Sequence, residues 1–147
     1  MDFGKCAKAA LMPTIGLSIV FIILDHFQPP TVVAGQPLGI QASIIFLIVY
    51  ASWILLMSWA GFKAVKEQKL DLAGGALAGL ITGAASTVVN SVVVLLSLEI
   101  FSSPGSMIAN TISGIIPGMV IGAVVGAILG VIGALVARRI GKVPAKK

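Results

Sequence analysis

Apolar residues run along this chain in long blocks at 9–27, 39–62, 72–98 and 107–137, parted by short polar or proline-rich breaks. A helix needs about 20 consecutive apolar residues to cross a hydrocarbon core, and every block is of that order. The pattern predicts an all-α polytopic membrane protein, with four transmembrane helices in an up-down bundle. In the first block Pro13 lies near the start, where a first turn tolerates proline. The hydroxyls of Thr14 and Ser18 can bond back to helix carbonyls. Residues 28–38 hold Pro29, Pro30, Pro37 and Gly35 and no charge, which disfavours helix and gives a short, stiff connection. Lys5 and Lys8 before the first block, with Val32-Val33-Ala34 beyond it, loosely imitate a secretory leader. That triplet stands too far past the apolar stretch, so the segment reads as a retained anchor.

In the second block Trp59 and Phe62 precede Lys63, as an aromatic belt at a water interface would have them. Tyr50 and Trp53 sit deeper, and their polar atoms predict a face turned toward a neighbouring helix. Asp71 stands where an N-cap for the third helix belongs. Ser102-Ser103-Pro104-Gly105 predicts a tight turn before the fourth block. That last block is longer than one crossing requires, and Pro117-Gly118 divides it. A kinked, tilted continuation is the preferred reading, against a surface half-helix over 107–116.

Charge fixes an expected orientation. All 10 Lys and Arg lie before the first block, between the second and third, or in the basic tail 138–147. The positive-inside rule then puts both termini and the loop around Lys66 in the cytoplasm. The chain of 147 residues is 58% hydrophobic and 10% charged, and a mean hydropathy of +1.10 leaves no room for a separate soluble domain. Residues 1–147 read as one membrane domain. The net charge of +5 flanks apolar blocks, so anionic lipid headgroups are the expected partner and nucleic acid is not. The single Cys6 excludes an internal disulfide and a CxxC metal pair.

The most specific motif is a glycine at every fourth position. Gly114, Gly118, Gly122, Gly126 and Gly130 recur in the last block, with Gly133 close behind, and Gly75, Gly79 and Gly83 repeat the theme in the third. Small residues let membrane helices approach closely where no hydrophobic force drives association. Each step of four overshoots a turn by about 40°, so the ridge winds and predicts different neighbours along its length. Its use is open among packing within one bundle, assembly into an oligomer and the lining of a path.

Polar residues at depth mark transport in many membrane proteins. The candidates here are Asn90 and Asn110, with Gln41 and Tyr50, and Asp25, His26 and Glu99 at the outer ends of spans. Their bland role is interhelical hydrogen bonding or interface solvation. One histidine and no HExxH, phosphate loop or Ser-His-Asp set give an enzyme little to work with. No metal or cofactor is expected. The leading function is a non-enzymatic structural or accessory subunit, forming a homo-oligomer or part of a larger complex in a prokaryotic plasma membrane. The alternative is a small ion or solute channel with a broken fourth helix. A lipid-modifying enzyme using Asp25 and His26 stands third.

Overall fold

The computed structural model describes residues 2–26, 40–97 and 105–140. They form α1 (Phe3–His26), α2 (Ile40–Lys66), α3 (Leu72–Ser97) and α4 (Gly105–Ile140), with no strand among the described residues. All 4 are long and apolar enough to cross a membrane.

Helix ends follow capping chemistry, while the apolar blocks mark only where lipid can be met. The first helix therefore starts earlier than residue 9. Asp2 accepts the Lys5 N–H at 3.2 Å on its side chain, and its backbone oxygen accepts the Cys6 N–H at 3.2 Å. This moves Pro13 from an expected first turn to the helix interior, where its ring is fully buried. The second helix runs past residue 62 to Lys66, because cations suit the negative end of the helix dipole. Lys63 lies 5.2 Å over the Trp59 ring and Lys66 5.1 Å over Phe62. Leu70 N–H then returns to the Ala64 carbonyl at 3.0 Å, and Lys69 takes the left-handed φ of 56° that lets the chain reverse. Asp71 caps α3 by accepting the Gly74 N–H at 2.8 Å.

The fourth helix is not broken. It continues from Gly105 to Ile140 through Pro117, which corrects both the surface half-helix and the interrupted helix of the channel alternative. Proline removes one donor, the one that would reach the Ser113 carbonyl, but its φ is already helical and the turns on either side hold. Pro117 is exposed, so its ring displaces no neighbouring helix.

Both α1 and α4 pack on α2 and α3, and α2 and α3 meet between them; α1 and α4 share no close backbone approach among the described residues. Ala9, Ala60, Ala64 and Ala78 make one core cluster. Leu17, Phe21 and Met57 make a second, against Trp53, Leu56, Val125 and Leu129. The interior is built largely from alanine, glycine and small hydroxyl residues, while large aliphatics face outward, with Leu47 70% and Ile116 73% exposed. Water would make that distribution costly, at about 25 cal/mol for each Å² of apolar surface. Lipid removes the cost.

Tyr50 corrects another expectation. It is 59% exposed and faces away from the bundle, whereas Trp53, three residues on, packs edge to face on Phe21 with centroids 6.2 Å apart. Residues three apart are separated by only about 60° around a helix, so the edge of the packed surface of α2 falls between these two rings.

Candidate functional site

The tightest feature of the molecule is the line where α3 and α4 meet. A Cβ built on Gly122 would stand 2.6 Å from the Gly83 carbonyl oxygen and 2.6 Å from the Thr87 hydroxyl. One built on Gly79 would meet the Gly126 carbonyl closer still and stand 2.8 Å from Gly130 Cα. On Gly130 it would meet the Gly75 carbonyl, and on Gly75 it would come 2.5 Å from Ala134 Cβ. The pairs Gly75–Gly130, Gly79–Gly126, Gly83–Gly122 and Thr87–Gly118 run in opposite senses along the two helices, which are therefore antiparallel. Here backbone lies on backbone, a separation no L side chain permits.

The neighbours change along α4. Toward its C-terminal end a Cβ on Gly133 would meet the Ser58 carbonyl, and one on Gly61 the Gly130 carbonyl, so this end faces α2 as well. At the other end, among the described residues, a Cβ on Gly118 meets only the Thr87 methyl, at 3.0 Å, and one on Gly114 has no atom within 4 Å. The close contact thus stops near Gly118. Gly61 and Thr87 were not among the sequence candidates. Ala60, Gly61 and Ala64 were legible as small residues one turn apart, and Thr87 as the hydroxyl next to Ser86.

Hydroxyls at depth serve their own helices. Thr14 donates to the Ala10 carbonyl at 2.8 Å, Ser18 to Thr14 at 2.8 Å, Thr82 to Ala78 at 3.0 Å and Ser86 to Gly83 at 3.0 Å. Thr87 donates to the Gly83 carbonyl at 2.9 Å and lies 3.4 Å from that of Gly118, so it bridges the seam only weakly.

The polar candidates are not gathered into one place. Asn90 is half-buried, one turn beyond Thr87 on α3, while Asn110 is exposed two turns before Gly118 on α4. The Ser113 hydroxyl donates to the Asn110 carbonyl at 3.0 Å, which leaves the Asn110 amide out of that bond. By the register of the seam, Asn90 lies opposite residue 115 and not opposite Asn110. Asp25 and His26 end α1, with side chains outside the described set; the side chain of Gln41 and all of Glu99 also lie outside it. No group of three or more His, Cys, Asp or Glu able to hold a metal occurs among the described residues. Trp53 Nε1, whose N–H the sequence led us to expect bonded to a neighbouring helix, is buried with no hydrogen-bond partner among the described residues.

One end of the bundle carries the described cations. Ala9 of α1 meets Ala60 and Ala64 of α2, and Gly130 of α4 meets Gly61, so Lys5 and Lys8, Lys63 and Lys66, and Arg138 and Arg139 share that end. Asp2 pairs with Lys5 at 3.5 Å and Glu67 with Lys63 at 3.4 Å. The Asp2 carboxyl is held below its ordinary 3.8, chiefly by accepting the Lys5 backbone N–H.

These features define an all-helical protein with four helices fit to cross a membrane and a small-residue interior. No protein family, curated protein or solved structure matches the chain.

Proposed function

We propose that this chain is a non-enzymatic integral membrane protein of structural or accessory type. It is an up-down bundle held by glycine ridges, with both termini and the Lys66 loop in the cytoplasm of a prokaryotic cell. The observation that carries the reading is where the specific chemistry is spent. Glycines of α3 and α4 lie backbone to backbone, and hydroxyls at depth are committed to carbonyls of their own helices. Orientation is supported by the gathering of cations at one end, which the positive-inside rule assigns to the cytoplasm with its anionic headgroups.

Assembly with a second copy or a larger complex uses a different part of α4 from the seam. Gly122 and Gly126 are consumed inside one chain, whereas Ala109, Asn110, Ser113 and Gly114 form an exposed stretch of small and polar residues. A Cβ added at Gly114 meets no atom of the described residues within 4 Å, so Gly114→Leu separates assembly from folding. The channel alternative rested on a break at Pro117, and α4 runs through it.

The test is the mass of the native particle in mild detergent, with co-purifying proteins identified. A particle heavier than the 15.0 kDa chain that Gly114→Leu reduces, with helicity retained, supports the proposal. A bare monomer from every mild detergent overturns it, and ion flux through liposomes containing the pure chain would favour the channel.

A further inference from the structure

The groove between the C-terminal ends of α2 and α4 combines a cationic mouth with an apolar floor. The two helices run side by side in the same direction there. Met57 belongs to the cluster that Val125 and Leu129 pack against, Gly61 meets Gly130, and Gly133 meets Ser58 and Phe62. From there α2 ends about one turn on, at Lys66, and α4 about two turns on, at Ile140. Helical spacing of seven and four places Leu55, Phe62 and Lys66 on one facet of α2. Spacing of four and three does the same for Ile132, Val136 and Arg139 on α4. Measured from Gly61 and Gly133, which face each other's helix, these facets turn to the same outer side and flank one groove. Leu55, Ile132 and Val136 are exposed, as are Lys66 and Arg139.

Charge at the mouth is uncompensated among the described residues. Asp2 is taken by Lys5 and Glu67 by Lys63, and neither Lys66 nor Arg139 has an ion pair among the described residues. Lys66 rests over the Phe62 ring, so its ammonium is held at the top of the apolar floor. A ligand matching this groove has an anionic phosphate at the water boundary and hydrocarbon running along the helices below it.

We propose that the α2/α4 groove is a selective binding site for one anionic glycerophospholipid of the leaflet at the cationic end. Lys66 and Arg139 hold its phosphate, Arg139 by a two-pronged guanidinium bond, and an acyl chain lies over Leu55, Phe62, Ile132 and Val136. This rests on the membrane-spanning reading above and adds a located, stoichiometric lipid to it. Each cation near anionic headgroups contributes about a fivefold preference, so the pair gives roughly five- to thirty-fold enrichment.

The full chain is reconstituted into phosphatidylcholine vesicles with a minor share of phosphatidylglycerol, extracted in mild detergent, and its retained lipid quantified. Phosphatidylglycerol is expected to be enriched over its share in the vesicles. The variant K66Q/R139Q returns the retained lipid to that share, while K5Q/K8Q removes equal charge from α1 and leaves the enrichment intact. Inorganic phosphate added during extraction does not displace the lipid. Enrichment that survives K66Q/R139Q, falls equally in K5Q/K8Q, or yields to phosphate overturns the site. Flotation with pure phosphatidylcholine vesicles tests the membrane reading separately: a chain that floats without lipid preference sinks only this inference, and one that does not float sinks both. Circular dichroism on each variant excludes loss of the helices as the cause.

Discussion

Alanine replacing glycine in the two glycine repeats, at Gly79 of α3 and at Gly114 of α4, should have opposite effects. At Gly79 the new methyl would stand 2.8 Å from Gly130 Cα and closer to the Gly126 carbonyl, where ordinary contact begins at 3.4 Å. The difference, 3.4 less 2.8, obliges α4 to retreat by about 0.6 Å at Gly130 and by more at Gly126. A gap of 0.5–1 Å forfeits about a quarter to a half of each dispersion contact, and the loss extends to the Gly83–Gly122 pair on the same rigid helices. Overpacking of this kind costs about 2–3 kcal/mol, offset by about 1 kcal/mol from the better helix propensity of alanine. At Gly114 the methyl enters open space and only the propensity gain remains. Gly79→Ala is therefore expected to destabilise by about 1–2 kcal/mol and Gly114→Ala to stabilise by up to about 1. The separation, about 2–3 kcal/mol, is roughly a 30- to 150-fold difference in the unfolding constant. Unfolding in mixed micelles of rising denaturing-detergent content measures it, through tryptophan fluorescence and through thiol labelling of Cys6, which is fully buried. If the two variants lie within about 0.5 kcal/mol of each other, the seam is not the close contact described.

Other perturbations probe the ends and the core. Asp71→Ala removes the acceptor for Gly74 N–H and should cost about 1 kcal/mol, with faster amide exchange confined to the first turn of α3. Trp53→Phe keeps the ring on Phe21 while deleting an N–H that has no partner among the described residues. The lost ring volume and the relieved desolvation nearly cancel, so stability in the same titration should change by less than about 1 kcal/mol. A loss above about 2 kcal/mol would mean that Nε1 has a partner. Because the Asp2 carboxyl is lowered in the folded chain, its support for the first turn of α1 is present above the ordinary 3.8 and lost as pH falls through the lower folded value. Amide exchange at Lys5 and Cys6, relative to Ala10, should therefore quicken in acid. An unchanged ratio would count against the cap.

Much of the architecture was legible because lipid simplifies the code. A block of apolar residues must satisfy its backbone internally, so the four helices followed from hydropathy alone. Their ends did not, since Asp2 and Lys66 set them by capping and dipole interactions that lie outside the apolar blocks. Pro117 left two readings open, and the preferred one, a continuous helix, is the one the structure has. A proline-glycine pair ends many helices in water, but the surrounding turns of α4 have no competing solvent and carry the helix through. The glycine repeat could be read as a packing surface, yet which stretch meets which neighbour depended on register. Residues 75–83 meet 122–130, while Gly114 is left uncovered. Tyr50 and Trp53 show the limit most clearly: both are amphipathic rings at similar depth, and only the angle between them around α2 decides which is inside.

The seam between α3 and α4 also bears on how the chain moves. Burying a leucine or methionine freezes rotamers, but Gly75, Gly79, Gly83, Gly122, Gly126 and Gly130 have none to freeze. Two preformed helices joining there lose little beyond their freedom to tumble apart, and once joined they have no alternative side-chain arrangement to hop into. The α3–α4 pair should therefore behave as a stiff two-rod body, assembling early and exchanging its amide hydrogens last. By that reasoning α1, held through larger side chains such as Leu17 and Phe21, is the part of the bundle with room to shift.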